Sequence, residues 1–363
     1  MSSWKKVKLG DIANVFSGKG IKKSDYIEDG SYPIIGANGE IGRCNEFNND
    51  KPVLTTGRVG TIGTIQKVYK AWITDNTLII DLISSQVDLD YLYYIMSTAD
   101  FKSITTGNAQ PLVTAGRLKA IEIQIPDTIE DQKKIASILS KFDELISVNE
   151  FKASNLIKAK TKIMNDIFSG GLRDLDSINP EVFAQSNWVK VKLGDICDIK
   201  CGKIPAKQSV DNGEYPLFVA GGIDGRYDSY SYDCEGILTS RNGDVGITKY
   251  YNGKFAVSDH TFALTGFNTS VHSVKYVYHW MKCNYEYIHS LAHGTGIPGI
   301  NTKDLGGIEI LIPPTLQEQQ QIANLLSSYD ELINSKVKGG DTIRKMKAQL
   351  MSQIFTDVER ERE

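Results

Sequence analysis

The chain has 363 residues, of which 41% are hydrophobic and 23% charged, with a formal net charge of −3 and five cysteines. This composition indicates a globular protein of two or three domains, and it excludes a disulfide framework and a uniformly basic nucleic-acid coat. No run of 18 apolar residues is present, and the first residues lack an apolar signal core. We therefore expect a cytoplasmic protein with no membrane contact.

Residues 1–126 predict a first globular domain, head 1, of mixed α/β structure with much sheet. Short β-type runs occur at residues 33–35, 62–65, 72–73 and 78–80, separated by turn signals such as the Asn-Gly pair at 38–39. A short helix is predicted over residues 89–101, because Tyr91, Tyr94 and Ile95 share one helical face.

A long helix is predicted over residues 127–170, followed by a linker at 171–187. Pro126, with Asp and Thr after it, offers a start, and the Gly pair at 170–171 an end. Residues of two series recur every seven positions, as in a coiled coil: Ile135, Phe142, Asn149, Leu156, Ile163 and Leu139, Ile146, Ala153, Lys160, Ile167. The polar Asn149 and Lys160 inside this seam can set its register.

The chain then repeats itself. Trp-Lys-Lys-Val-Lys-Leu-Gly-Asp-Ile at 4–12 recurs as Trp-Val-Lys-Val-Lys-Leu-Gly-Asp-Ile at 188–196, and Ile-Glu-Ile-Gln-Ile-Pro at 121–126 recurs as Ile-Glu-Ile-Leu-Ile-Pro at 308–313. Asp-Glu-Leu-Ile recurs at 143–146 and 330–333. A repeat of this length indicates a duplicated module, with a second globular domain, head 2, at 188–313 and a second long helix at 314–357.

The second helix carries the same seven-residue pattern, with Lys336 and Lys347 inside the seam. Two matching helices in one chain most simply pair with each other, and intramolecular pairing of two such modules is antiparallel. The predicted fold is therefore α+β: two mixed α/β heads joined by two long helices that form an antiparallel coiled coil, a dumbbell with pseudo-two-fold symmetry. Parallel pairing between two chains is the alternative.

The repeated motifs resemble those of the specificity subunits of type I restriction-modification systems. The resemblance rests on Leu-Gly-Asp-Ile at 9–12 and 193–196, on residues 55–63 and 239–246, and on the run from Pro126 through Gln132 to Asp143 with its repeat from Pro313 through Gln319 to Asp330. It covers nearly the whole chain, in order and twice.

The resemblance implies that each head is a target-recognition domain that reads one part of a split, asymmetric double-stranded DNA target. It implies that the helices act as a ruler and dock two methyltransferase subunits, with motor-nuclease subunits as further partners. S-adenosylmethionine then belongs to the partner methyltransferase, and this chain carries no cofactor. It is a non-catalytic subunit of a DNA adenine methyltransferase and restriction complex.

Basic and amide side chains in Gly-rich loops are the predicted DNA contacts, because Arg can bond guanine and Asn or Gln adenine in a bidentate way, whereas Lys mostly finds phosphate. The candidates are Lys19, Lys22, Lys23, Arg43, Arg58, Asn108 and Gln110 in head 1, and Lys203, Lys207, Arg226, Arg241, Asn242 and Thr295 in head 2. For any one of them, a solvated surface group is the competing interpretation.

Catalytic and metal sites are not predicted. Asp259 with His260 resembles half of a catalytic pair, but the first repeat has Asp75 and Asn76 there, so His260 is interpreted as structural or DNA-contacting. The spacing of His279 with Cys283, and of His289 with His293, could ligate zinc, although one face of a helix between residues 274 and 291 explains it as well. A coiled-coil adaptor that presents two protein-binding heads is the alternative function.

Overall fold

The computed structural model of the chain describes residues 3–107, 111–168, 188–294 and 296–360. The chain divides into two compact units, residues 1–149 with 338–363 (unit 1) and residues 150–337 (unit 2). Each unit contains one head and a segment of both long helices. The predicted linker at 171–187 lies outside the described residues, and the predicted domain boundaries stay predictions.

Unit 1 contains three small sheets, with strand orders β2-β8-β5-β6, β4-β3-β7 and β1-β9. Their strands are β1 (Trp4–Lys8), β2 (Ala13–Ser17), β3 (Tyr32–Gly36), β4 (Gly39–Cys44), β5 (Val53–Gly57), β6 (Gln66–Val68), β7 (Trp72–Ile73), β8 (Thr77–Leu82) and β9 (Glu122–Pro126). The helices of the head are α1 (Leu9–Ile12), α2 (Leu89–Thr98), α3 (Phe101–Ile104) and α4 (Ala115–Lys119).

Unit 2 contains one six-stranded sheet, in the order β11-β16-β14-β15-β12-β13, and the pair β10-β17. Its strands are β10 (Val189–Lys192), β11 (Asp198–Cys201), β12 (Tyr215–Val219), β13 (Gly222–Tyr227), β14 (Tyr232–Ser240), β15 (Thr248–Val257), β16 (Thr261–Thr265) and β17 (Glu309–Ile312). The helices of the head are α6 (Leu193–Ile196), α7 (Val274–Cys283), α8 (Tyr285–Ser290) and α9 (Thr302–Gly306).

The two long helices are α5 (Ile129–Phe168) and α10 (Leu316–Arg360). Each begins with a threonine N-cap, whose hydroxyl accepts a hydrogen bond from the backbone three residues later. Thr128 Oγ1 accepts from Asp131 N at 3.2 Å, and Thr315 Oγ1 accepts from Glu318 N at 3.3 Å. Both helices therefore begin directly after the threonines that the sequence offers as helix starts.

The seven-residue series form the contact face of the helices. All ten α5 residues of the two series are buried or half-buried, whereas most residues between them are exposed. In unit 1, Asp143 contacts Lys347 and Asn149 lies beside Gly339, so the two helix segments run antiparallel there. The prediction of an antiparallel seam is confirmed in this unit, and the two-module α+β architecture in both.

A buried glutamine joins each long helix to its head. Gln132 Nε2 donates to Gln86 O and to Pro126 O, both at 3.0 Å, and its Oε1 accepts from Asp88 N at 2.9 Å. Gln319 makes the same three bonds in unit 2, to Val271 O, Pro313 O and Ser273 N, at 3.1, 3.1 and 2.8 Å. Because both amides are fully satisfied, the motif glutamines set the angle at which helix and head meet.

Two lysines predicted inside the seam form ion pairs with the repeated aspartates. Lys160 Nζ lies 2.5 Å from Asp330 Oδ2 within unit 2, and Lys347 Nζ lies 2.5 Å from Asp143 Oδ1 within unit 1. Burial lowers the pKa of Lys160, although its hydrogen bond to Asp330 opposes that shift. A charge placed in an otherwise apolar seam disfavours every register in which it has no partner.

Three local expectations differ from the structure. Residues 62–65 are a loop, because Gly63 adopts a positive φ of 89° and its amide donates to Thr56 Oγ1. The helix expected over 89–101 ends at Thr98 and resumes as α3, and the helix expected over 274–291 is broken at Asn284. Among the described residues, no helix combines the length and apolarity that a membrane crossing needs.

Candidate nucleic-acid interface

A tight turn precedes the same strand in both heads and organises the loops around it. In head 1, Thr77 N donates to Thr74 O, and in head 2, Thr261 N donates to Ser258 O, both at 3.1 Å. The first and last side chains of each turn are buried hydroxyls that bond to one another or to a neighbouring carbonyl. The two middle residues, 75–76 and 259–260, therefore stay at the surface of a fixed backbone.

A glycine allows a loop with several candidate lysines, which we call the basic loop (residues 18–31 in head 1 and 202–214 in head 2), to pack against this turn. A Cβ atom at Gly18 would lie 2.3 Å from Ile73 O and 2.4 Å from Thr74 O. At Gly202 it would lie 2.2 Å from Ser258 O and 2.3 Å from Val257 O. Since only glycine permits this approach, the following lysine, Lys19 or Lys203, is held beside the turn in both heads.

Arg58 and Arg241 occupy equivalent positions on the other side of the turn. Their backbone amides donate to Asn76 O and His260 O, both at 2.9 Å. The Arg241 guanidinium donates to Cys201 Sγ and to Asp259 O, both at 3.4 Å, and lies 5.9 Å from the centre of the Phe262 ring. Arg58 has a single longer contact, 3.5 Å to Ser17 Oγ. Both side chains are half-buried and keep donors for a further ligand.

A third loop, which contains a proline, lies against the arginine in each head. We call the four elements together, the turn, the glycine contact, the arginine and the proline loop, the constellation. Gly60 N donates to Pro111 O in head 1, and Gly243 N donates to Pro298 O in head 2, at 3.2 and 2.9 Å. The carbonyl groups of Arg58 and Arg241 accept from Val113 N and Ile300 N. The predicted contacts Asn108, Gln110 and Thr295 precede these prolines in the sequence and lie outside the described residues.

The remaining lysine candidates are exposed and lie close to Lys19 or Lys203 in the chain. Lys22 directly precedes a 3-10 turn at Lys23–Asp25, and Lys207 lies in the 3-10 turn at Ala206–Gln208. Lys19 is also held by its backbone, which accepts a hydrogen bond from the Trp72 indole at 3.0 Å. Their placement is compatible with phosphate contacts, and a DNA-binding role for each stays a prediction.

Arg43 and Arg226 have bonding that differs from that of Arg58 and Arg241. Arg43 donates through Nε to Gly30 O at 2.7 Å and through a terminal nitrogen to Ser31 O at 3.2 Å. Arg226 makes the same pair of bonds to Gly213 O and Glu214 O. In both heads this arginine fastens the end of the basic loop to the β3–β4 or β12–β13 hairpin. This bonding occupies Nε and one terminal nitrogen and gives the arginine a structural role, and a DNA contact by Arg43 or Arg226 stays a prediction.

Head 1 has a cleft of about 510 Å³ at the turn, lined in part by Gly20, Val59, Asp75 and Asn76. In head 2, Asn242 replaces Val59 and its Oδ1 is buried without a hydrogen-bond partner, as is Asp259 Oδ1. A buried polar atom without a partner costs free energy unless a ligand or water satisfies it. Asn242, a predicted contact, thus has a side-chain oxygen that can accept a hydrogen bond from a ligand or water.

The histidine pairs considered for zinc have other partners. His279 is buried and its Nε2 lies 3.1 Å from Ser327 Oγ, whereas Cys283 Sγ contacts Asn165. His289 Nδ1 faces Val245 O at 3.1 Å, and His293 lies 3.5 Å from Asp304. Within the described ranges, no three metal-ligating side chains come together.

Sequence reasoning passed over Asn76 as a possible DNA contact. The signal was present, because the repeat aligns Asp75 and Asn76 with Asp259 and His260. The prediction named only His260, as a structural or DNA-contacting residue, whereas the structure places both positions beside the arginine, the lysine loop that the glycine holds and the proline loop.

Comparisons with known proteins agree with this architecture. A family model described as "Type I restriction modification DNA specificity domain" matches residues 1–159 and 185–339. The type I restriction enzyme MjaVIII specificity subunit of Methanocaldococcus jannaschii is 25% identical over 97% of this chain and 92% of its own length.

Two solved structures share the fold. The type I restriction-modification S subunit from M. genitalium matches with a TM-score of 0.80 at 20% identity, over 98% of this chain and 96% of that one. A chain from a study of complex assembly and conformational transition of the type I R-M system matches with a TM-score of 0.54 at 15% identity, over 96% and 97%. The chain belongs to the type I restriction-modification DNA specificity family.

Proposed function

From this family membership, we propose that the chain reads a bipartite, asymmetric DNA target, with one half of the target recognised by each head. The observation that carries the proposal is the doubled constellation. The same turn, glycine contact, arginine and proline loop occur in both heads with matching backbone bonds, whereas the exposed side chains on them differ. One scaffold that presents two sets of side chains suits two different half-sites.

We propose further that the long helices dock two methyltransferase subunits. Large apolar side chains on these helices remain exposed, and Leu145 and Leu332 do so at equivalent positions, with 51% and 49% of their surface accessible. One such position in each unit fits two copies of one partner. On α5, Ile138, Leu145 and Val148 are all exposed within about three helical turns, and apolar side chains clustered on a surface are a usual mark of a protein interface.

The chemistry then belongs to the partners. S-adenosylmethionine would be bound by the methyltransferase subunits, which methylate adenine, and motor-nuclease subunits would join to cut unmodified DNA in the cytoplasm. The purified chain is expected to show no methyltransferase, ATPase or nuclease turnover. Robust turnover that follows the chain through purification would contradict the assignment.

The central experiment is methylome sequencing of a host that expresses the chain with the adenine methyltransferase from its own locus. We expect one methylated motif with two specific halves and an unspecific spacer. Replacement of residues 1–126 by the matching head of a relative should change one half only. A change in both halves would overturn the two-reader proposal, and an assembly without salt-dependent DNA binding would favour the adaptor.

Docking is tested with Leu145→Glu and Leu332→Glu, and with Lys152→Glu as the exposed control on α5. Each leucine variant should bind one methyltransferase subunit instead of two, and the double variant none, by native mass spectrometry. Two bound subunits in the double variant would place the docking surface elsewhere.

A further inference from the structure

Asn76 and His260 lie at the same point of the two heads and carry different side chains. Each is the third residue of the four-residue turn and is exposed, and each backbone carbonyl accepts the amide of the half-buried arginine, Arg58 or Arg241, at 2.9 Å. The preceding aspartate is the same in both heads. The comparison therefore isolates one exposed position that varies on an invariant backbone.

The backbone at this position is fixed from four directions. Buried hydroxyls hold the ends of the turn, and the arginine strand bonds to its third carbonyl. The close approach of Gly18 or Gly202 leaves no room for the turn to move toward the first loop. A side chain mounted on such a support has a defined direction, which base discrimination requires.

The two side chains offer different hydrogen-bonding edges. The carboxamide of Asn76 presents a donor and an acceptor together, which is the pattern that matches N6 and N7 of adenine. The imidazole of His260 has its two nitrogens on different sides of the ring, so it can present only one of them to a base edge. Its Nε2 lies 3.8 Å from Asp259 Oδ1.

The setting is a cleft in head 1, and in both heads it adjoins other predicted contacts. In head 1, Asn76 lines the 510 Å³ cleft together with Gly20 and Val59, next to Arg58. In head 2, His260 follows Asp259 and precedes the strand that packs under Arg241. A base edge brought to the arginine would thus also meet residue 76 or 260.

We propose that Asn76 and His260 are specificity-determining residues, each reading one base pair of the half-site of its own head. This inference rests on the proposed function and adds a position to it. Asn76 contacts an adenine through two hydrogen bonds, and His260 makes a single contact to a purine acceptor. The two positions are equivalent in the fold, but they read different bases because their side chains differ.

The test uses the full chain co-expressed with its methyltransferase, and the readout is the methylated motif of host DNA. Asn76→His should reduce discrimination at one base pair of one half-site by about 5- to 150-fold, the value of one bidentate contact. His260→Asn should change one base pair in the other half-site. Asn14→His, at an exposed asparagine on β2, is the matched control and should leave the motif unchanged.

A second variant keeps the test decisive if Asn76→His does not fold. Asn76→Asp has the same shape but loses both amide donors, so it should disfavour adenine at the same base pair. An unchanged motif in a folded Asn76→Asp chain, with the wild-type motif present, overturns this inference and leaves the proposed function intact. A wild-type chain that directs no two-part motif overturns the proposed function itself, and the inference with it.

Discussion

The two heads keep the same loop constellation on sheets of different construction. In unit 2, β15 has ten residues and pairs with both β14 and β12, so six strands form one sheet. In unit 1 the equivalent stretch is divided into β6 and β7, and Lys70 between them has a positive φ of 51°. At the second of these strands, the Asn48 side chain bonds to the backbone of Ile73: its Oδ1 accepts from Ile73 N and its Nδ2 donates to Ile73 O.

This difference distinguishes the strands that support the loops from the strand ends that extend the sheet. The strand pairs next to the turn, β5 with β8 and β14 with β16, have the same antiparallel arrangement in both units. The far ends of the strands differ in length and pairing. Constraints on the fold are therefore strongest within a few residues of the turn, and the four predictions below test that contrast between the units.

The largest effect is expected at the glycine contact. Gly18→Ala and Gly202→Ala each place a Cβ against two backbone carbonyls, which should cost about 3 kcal/mol of stability in a urea titration because the buried turn cannot yield. Gly20→Ala is the control, since its Cβ would meet nothing nearer than 3.8 Å. Equal stability of all three variants would show that the turn is not rigid.

The seam lysines should differ between units because their burial differs. The side chains of Lys160 and Asp330 are 8% and 29% exposed, whereas those of Lys347 and Asp143 are 16% and 42% exposed. Removal of Lys160 leaves Asp330 with only the more distant and more exposed Lys282, 3.8 Å from its Oδ1, as a lysine partner. We expect Lys160→Ala to cost about 3 kcal/mol and Lys347→Ala about 1 kcal/mol.

Denaturant unfolding measures both variants, with Lys158→Ala as the exposed control on α5. Similar losses for the two seam lysines would mean that burial does not decide the strength of these pairs.

The residues beside Asp330 and Asp143 predict that the stability of the two units depends differently on pH. Burial, and then the charge of Lys160, lowers the pKa of His279 from 6.5 to about 3, whereas Tyr94 occupies the matching position in unit 1 and donates to Asp143 at 2.7 Å. The unfolded chain takes up a proton below pH 6.5, but the folded chain does not. Stability should therefore fall by about 1.4 kcal/mol per pH unit between about pH 6 and pH 4.

His279→Tyr copies unit 1 and should remove this one-proton slope from the unfolding free energy measured against pH. The prediction is wrong if wild type and variant lose stability in parallel over that range. Residual acid sensitivity from other groups is common to both chains and cancels in the difference.

The smallest effect is expected at Arg43 and Arg226. A lysine lacks the rigid planar fork with which arginine bonds both carbonyls, so Arg43→Lys and Arg226→Lys should each cost about 1 kcal/mol, by equal amounts in the two units. Thermal unfolding measures the loss, with the exposed Arg117→Lys as the control. A variant that keeps its stability but loses recognition of one half-site would instead assign the arginine to DNA contact.

Features of the fold that depend on local pattern could be predicted from the sequence. The seven-residue helix seam, the helix starts at Thr128 and Thr315 and the buried face of Tyr91, Tyr94 and Ile95 follow from periodicity or from residue types a few positions apart. The antiparallel pairing follows from the duplication. Such patterns act through the geometry of one helix or one turn, which is the same wherever the element is placed. The failures were local as well, at Gly63 and at Asn284, where a single residue interrupts an otherwise plausible element.

The hydrogen-bond and ion-pair partners of the side chains, in contrast, depend on how the whole chain folds. Arg43 and Arg58 are both arginines that the sequence predicts as DNA contacts. Arg43 bonds to the carbonyls of Gly30 and Ser31, whereas Arg58 lies half-buried beside the turn. Lys160 meets a carboxylate 170 positions away. A hydrogen-bond partner is set by which distant backbone or side chain folding brings within about 3 Å, and no spacing rule along the chain encodes that distance.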